Sequence, residues 1–581
     1  MERLGAKRGG RRWFLGLTGA AAGAAGLAAI SCGGAGKKSA TPGTSDTPGG
    51  NSTSTARATA TGTASDTQRG ETLRYTGYVA SDGVFDPHKT QAGPVYGQQA
   101  LVFSRLLNYQ SQTDGIITPD LAVAKPESPD GQTLIFRINP GAHWHDREPL
   151  NGRAVTADDV KFSFERQIEG DGSFIRKSQW ANIDKIEATD PQTLTFHMKA
   201  PLAAMIERFA DVNAFIVAPE LVADGRSFDR NTQVGSGPFR WVDWSEGQFA
   251  SVARNPNWFG QQRHPFLDGV TITQPKDSTE VEAKLRTKGL DVAFVGQPTA
   301  EKLKKAVPAL QESTVGRSLF FGMRFFVQTA PFNDPRFRAA LSTALDRRDM
   351  LQHFFAGSGD VNPWVSWPIT RWSLPQNELA TMAGYRQGQV GRDADITEAK
   401  AQLAAYTNEK KLPEALNLFV LDDAETTLKM GSVIRDQIKQ NLGLTVTVYP
   451  VSIKQLTAGM LSSEYTWAAA PDIGWVDLDD WVYPYFHSAG TKNTFALRDG
   501  DLDKLIESQR TELNESTRRD IGYQIQRRLS QLNAGVNFVS ETVVALRWPY
   551  VRDFPLDAAD GYQHRFADTW IDKTDPTFRG R

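Results

Sequence analysis

Cysteine is all but missing: 581 residues carry one, Cys32. No disulfide can form within the chain and no multi-cysteine zinc site can be built, so packing alone must hold the fold. Net charge is nearly absent as well. The formal charge is −2, from 65 basic and 67 acidic residues, and no basic stripe marks a nucleic-acid surface. Three catalytic signatures are lacking too. There is no Gly-x-Ser-x-Gly elbow, no His-Glu-x-x-His pair, and no Gly-Lys-Ser/Thr after a glycine-rich turn. Gly235-Ser236-Gly237-Pro238 resembles a phosphate loop only until the next segment, Phe239 to Trp244, reads as a strand and not a helix. No catalytic residue, cofactor, metal or nucleic-acid partner is expected.

From Gly33 to Gly70 there is no Val, Ile, Leu, Met, Phe, Trp or Tyr. Such a stretch cannot bury enough apolar surface to offset its ordering entropy, and it reads as a flexible tether. Before it, Lys7, Arg8, Arg11 and Arg12 precede an apolar run from Trp13 to Ile30, the pattern of an export signal over residues 1–31. Arg11-Arg12-Trp13-Phe14-Leu15 resembles a twin-arginine export motif. Ala29-Ile30-Ser31-Cys32 resembles a bacterial lipobox, with Cys32 as the lipidated residue. Two acyl chains suffice for stable membrane anchoring. The protein is therefore expected outside the cytoplasm, held at the cell membrane through residues 32–70.

The rest is patterned for a folded α/β body of more than one domain. Leu73 and Tyr75 alternate in a strand from Thr72 to Tyr78, and Tyr96 to Leu107 reads as a helix. Thr279 to Lys288 is a helix closed by Gly289 and followed by a buried strand, Leu290 to Val295. Asn333-Asp334-Pro335 opens a helix running to Phe355. Leu416 to Leu421, a helix, Gly443 and Leu444 to Val451 form a βαβ unit, whose strands should be parallel. Asn514 or Ser516 caps a further helix.

The stretch Pro140 to Phe164 looks like a site. His143, Trp144, His145 and Asp146 could suggest a metal, and Asp158 with Asp159 could suggest acid–base work. Helix capping accounts for the pair: Thr156 is a candidate N-cap, and carboxylates suit the first turn. Val160, Phe164 and Ile168 then recur every fourth residue on the buried face.

Several segments in shared order resemble the extracytoplasmic solute-binding proteins of peptide/nickel-type ABC importers, family 5. They are Leu121-Ala122 through Trp144-His145-Asp146, Val155 to Phe164, Gly235 to Phe239, Arg254 to Gly260, and Asp334 to Leu341 with Asp346-Arg347. The resemblance implies a two-lobed, periplasmic-binding-protein-like (type II) α/β fold with a hinge and an extra small subdomain. It divides the chain into a first lobe (71–110, 233–321 and 546–581), the small subdomain (111–232) and a second lobe (322–545). It places His145-Asp146 in a scaffold loop. It implies capture of a small solute, a peptide foremost, and delivery to permease and ATPase subunits by a monomer. The rivals are a surface lipoprotein hydrolase acting on peptide or glycan, and a binding protein that feeds a sensor.

The ligand region expected on this basis is Asp472 to Phe486, where Trp475, Trp481, Tyr483 and Tyr485 interleave with Asp477, Asp479 and Asp480. Clefts need aromatic walls with a few placed polar groups. In peptide-binding relatives an Asp shortly after a Trp pairs with the ligand's ammonium. Asp477 is the first candidate and Asp479 the second, although the Trp-to-Asp spacing departs from the relatives' pattern. A solvated acidic loop beside core tryptophans is the other reading. Trp364, Trp367 and Trp372 are candidate cleft walls or core.

Overall fold

The computed structural model describes residues 68–581, except 78, 80–83, 91–92, 175, 224–225, 227, 230–232, 261–263 and 423–424. The export signal, Cys32 and nearly all of the tether lie outside the described residues. Among the described residues no helix is long and apolar enough to cross a membrane.

Two sheets organise the chain. The larger has eight strands, in the order Gln311–Gly316, Val539–Arg547, Val292–Val295, Thr72–Thr76, Gly269–Thr273, Phe249–Arg254 and Phe239–Ser245, with Gly359–Val361 also paired to Val539–Arg547. The smaller has five: Val446–Val451, Leu416–Leu421, Trp467–Ile473, Leu319–Phe325 and Gly535–Asn537. Strands from both ends of the described chain meet in the larger sheet. Thr72–Thr76 runs parallel to Gly269–Thr273 and to Val292–Val295, and buries Leu73 and Tyr75 as their alternation requires.

The chain passes between the sheets twice. Gln311–Gly316 leaves the larger sheet, and after Arg317-Ser318 the chain enters the smaller one as Leu319–Phe325. It returns from Gly535–Asn537 through Phe538 into Val539–Arg547. The return therefore falls upstream of the 545/546 boundary expected from the sequence. An apolar run that serves both sheets carries no mark of where one ends.

Most elements follow their local signals. Leu416–Leu421 and Val446–Val451 are parallel about the helix Glu425–Leu442. Asn514, not Ser516, caps Glu515–Leu532 by accepting from the Thr517 N–H at 3.0 Å. Two helices differ from expectation. The one expected over Tyr96 to Leu107 spans Gly93–Gln99, because the carbonyls beyond it are claimed from afar: Leu101 accepts from Phe239 N–H (2.9 Å) and Val102 from Gly237 N–H (2.8 Å). The one expected from Pro335 to Phe355 breaks at Leu345-Asp346. There the Asp346 side chain accepts from the Arg348 and Asp349 N–H groups and starts a second helix, Arg347–Phe355.

The stretch that looked catalytic is scaffold. Thr156 and Asp159 form a reciprocal capping box on the helix Ala157–Glu169. Asp159 also accepts from Trp144 Nε1 (3.2 Å) and pairs with Arg153 (2.7 Å). Phe164 lies edge-on to Trp180, Phe196 and Phe209, tying that helix to a three-stranded sheet of Thr133–Arg137, Thr193–Met198 and Ile183–Asp190. His145 is buried, and both ring nitrogens are spent on backbone. Nε2 donates to the Gly237 carbonyl (3.1 Å), while Nδ1 accepts from the Gly235 N–H (3.3 Å). The acceptor role of Nδ1 needs the neutral ring, and burial lowers the ring's pKa to about 4.

His145→Phe should strand the buried Gly235 N–H, while the Gly237 carbonyl keeps its bond from Asn255 Nδ2 (3.0 Å), and cost about 1–3 kcal/mol in denaturant unfolding. A histidine with a depressed folded pKa stabilises above its unfolded value and loses that contribution as pH falls through its folded value. The penalty should thus be largest above pH ~6.5 and shrink towards pH ~4. A penalty that does not change with pH would contradict this role.

Candidate ligand-binding cavity and the carboxylates beside it

The carboxyl ends of the parallel strands Thr72–Thr76, Gly269–Thr273 and Val292–Val295 open onto one cavity of about 440 Å³. Ligands in open α/β sheets collect at such edges. Each strand delivers lining residues as it ends: Thr76 and Gly77, then Gln274, then Val295 and Gly296. Tyr75, Phe294 and Phe566 supply an aromatic wall, with Tyr75 edge-on to Phe566 at 5.2 Å and to Phe294 at 6.4 Å. The helices Ser278–Arg286 and Gln297–Ala306 both start at this edge, so the positive ends of two helix dipoles border the cavity.

The two chain crossings complete it. Arg317 lines it from the outgoing crossing, and Glu541 and Val543 from the return strand. Gly316 faces Thr542, and the Arg317 N–H donates to the Glu541 carbonyl at 2.8 Å. Asp557 and Asp560 add carboxylates from the segment after the return strand. Arg317 pairs with Asp560 (3.1 Å), whose charge raises the guanidinium pKa, and Arg565 pairs with Asp557 (2.8 Å). Burial pushes Asp557 up to about 6 and Glu541 up to about 7.

The residues expected to bind ligand lie in the second lobe, against one another. Trp364, Trp372, Trp475, Trp481, Tyr485 and Phe486 belong to one buried cluster, with Tyr483 packed against it. Trp364 Nε1 donates to Ser530 Oγ (3.2 Å), and Trp481 Nε1 donates to the Trp475 carbonyl (2.7 Å). Trp367 is half-buried and holds Asn362 through its backbone N–H (2.9 Å). Tyr483 stacks on His487, with the Arg510 guanidinium 4.0 Å from its ring centre. Core is the reading that fits Trp364, Trp372 and Trp481.

Asp477 is not free to receive a ligand ammonium. It caps the helix Leu478–Phe486 by accepting from the Asp479 N–H (2.8 Å), and Arg518 grips it with two bonds of 2.7 and 2.8 Å. Burial works to raise its pKa, but the charge and hydrogen bonds of Arg518 prevail and hold it below the ordinary carboxylate value. Asp479 is likewise engaged, by Arg208 (2.9 Å), Gln509 (2.7 Å) and Arg510 (3.2 Å). Arg208 lies 271 positions before Asp479, and Gln179, 301 positions before Asp480, reaches it at 3.4 Å. Asp479 and Asp480 thus tie the segment around Gln179 and Arg208 to the helix Leu478–Phe486. Trp475 is not among the residues that line the cavity; its carbonyl accepts from Ser318 Oγ (3.1 Å), one residue beyond Arg317, which does line it. Its ring is covered by Arg176 at 4.3 Å.

Phe294, Arg317 and Glu541 were missed from sequence. Glu541 had a signal. It is the lone carboxylate in the apolar run from Val536 to Trp548, and an uncompensated acid in a buried strand calls for a reason.

The model of bacterial extracellular solute-binding proteins, family 5, matches residues 117–494. The chain belongs to that family. It is a solute-binding protein, and the family is extracellular. The chain is 26% identical over 441 residues to the oligopeptide-binding protein AppA of Bacillus subtilis, covering 70% of this chain and 75% of the relative. It is 24% identical over 485 residues to a probable di/tripeptide-binding protein 5 of Pseudomonas aeruginosa, covering 79% and 88%. The solved substrate-binding protein CtaP of Listeria monocytogenes aligns over 87% of this chain and all of its own (100%), with a TM-score of 0.72 at 19% identity. The two-lobed fold of these binding proteins is therefore the fold of this chain.

A double-mutant cycle checks the role of the buried pair. Asp477→Asn and Arg518→Met should each cost about 3–5 kcal/mol in unfolding free energy, because each leaves one buried partner uncompensated. The double variant should recover at least half of the summed loss. Strictly additive costs would remove Asp477–Arg518 as a structural unit.

Proposed function

We propose that this protein captures a small peptide in the cavity at the carboxyl edge of the larger sheet and delivers it to the permease and ATPase subunits of an importer. The carrying observation is the cavity itself: about 440 Å³, walled by Tyr75, Phe294 and Phe566, and bounded by both chain crossings. A ligand seated there touches the segments about which the lobes move, so binding biases closure through differential contacts. Peptides fit the charge layout. The uncapped N-terminus of the helix Gln297–Ala306 and Lys276 border one part of the cavity, and Glu541, Asp557 and Asp560 border another, which suits a solute bearing both a carboxylate and an ammonium. The relatives named for oligopeptides and di/tripeptides support the same class.

In this reading the protein binds without chemistry and works as a monomer. Residues 1–31 direct export, and lipid on Cys32 anchors the mature chain at the membrane. Division of labour between the lobes follows the strand pairing, with the small subdomain fastened to the second lobe through Arg208.

Val543→Trp tests the cavity. An indole there should lower peptide affinity at least tenfold, on the order of 1.4 kcal/mol or more. The check is calorimetry or tryptophan fluorescence with a mixed di- to pentapeptide panel, with melting temperature as the folding control. Bound peptide should be recovered intact after prolonged incubation. Unchanged affinity in this variant would exclude the cavity, and steady release of cleaved peptide would exclude a pure binder.

A further inference from the structure

Four carboxylates line the cavity, and three are already committed. Asp277 caps the helix Ser278–Arg286, accepting from the Thr279 and Glu280 N–H groups at 2.8 and 2.9 Å. Asp557 is held by Arg565 and Asp560 by Arg317. Glu541 differs. Among the described residues no hydrogen bond or ion pair is made by its carboxylate, and the nearest cation acting on it, Arg317, spends its guanidinium on Asp560.

Position sharpens the contrast. The return strand pairs with Val292–Val295 only from Val544 onward, so Glu541 lies past the end of that strand, where the sheet edge meets the cavity. Its backbone is fixed on both sides, facing Gly359 across one pairing and receiving the Arg317 N–H across the other. A half-buried carboxylate on so rigid a strand, without a partner, is costly unless something arrives to compensate it. Burial accordingly raises its pKa to about 7. Asp477, the acid expected from the sequence to meet a ligand's ammonium, is closed off by Arg518.

Resting on the peptide reading above, we infer that Glu541 is the residue that receives the ligand's primary ammonium, so that the cavity selects solutes carrying a free amine. The ammonium completes a charge-assisted hydrogen bond that the empty protein lacks. Recognition of the cationic end thus comes from the return crossing, and not from the helix that follows Trp475. Because Glu541 belongs to a strand that links the sheets, the same contact couples amine recognition to the hinge.

The test compares two probes on the full mature chain: a defined di- to pentapeptide panel with free amines, and the same panel N-acetylated. Binding is read by native mass spectrometry and calorimetry. Wild type should prefer the free amines by about tenfold or more. Glu541→Gln, which keeps shape and removes the charge, should bring the two panels within about twofold of each other. Its melting curve and its retained binding of the acetylated panel report that it folds. Asp477→Asn should keep the wild-type preference. A full preference in Glu541→Gln would overturn the inference and leave the peptide reading standing. Loss of the preference in Asp477→Asn alone would move the amine site to the second lobe and also overturn it. Failure of wild type to bind either panel would overturn the peptide reading itself, and the inference with it.

Discussion

Gly316 faces Thr542 in the larger sheet, and six residues on, Gly322 faces Asn537 in the smaller one. Two antiparallel segments thus run side by side through both sheets, and their pairing is the constraint on which the rest depends. It fixes where the lobes join and where the larger sheet's carboxyl edge is closed off. It also fixes which side chains reach the space between. The approach is tight enough that a side chain at Gly322 would run into the Val536 carbonyl, so glycine is required there. Arg317 and Glu541 sit directly beside this passage, which makes the cavity a property of the crossing as much as of the first lobe.

Charge is partitioned around that passage. Away from the cavity, three buried acids are firmly matched: Asp477 with Arg518, Asp479 with Arg208 and Arg510, Asp159 with Arg153. Each match supplies a fastening, since a paired buried carboxylate holds elements in register but offers little to a newcomer. At the cavity the matching is incomplete. An unmatched, half-buried carboxylate is a poor way to stabilise a fold and a good way to make binding contribute to it.

Much of the fold was legible because its signals are local. Thr156, Asp159 and Asn514 cap helices through their own neighbours, and the βαβ unit at 416–451 announces itself by spacing. The helix after Tyr96 was overestimated for the opposite reason. The carbonyls of Leu101 and Val102 are taken by Phe239 and Gly237, more than a hundred residues away, and no local pattern reports that. The site was less legible still. Cavity walls come from strand ends at 76, 274, 295, 317 and 541, and only folding brings these together. Aromatics and acids clustered in sequence, as at Trp475 to Tyr485, draw the eye for the same reason they pack well: they are neighbours already.

The most direct measurement is a crystal structure of the protein with the solute it carries when purified from its own host. The account predicts ligand density in the cavity at the sheet's carboxyl edge, against Phe294, with a nitrogen of the ligand within hydrogen-bond distance of Glu541. It also predicts that Asp477 still holds Arg518. Density seated instead on Trp475 and Asp477, with Arg518 displaced and Glu541 untouched, would contradict it.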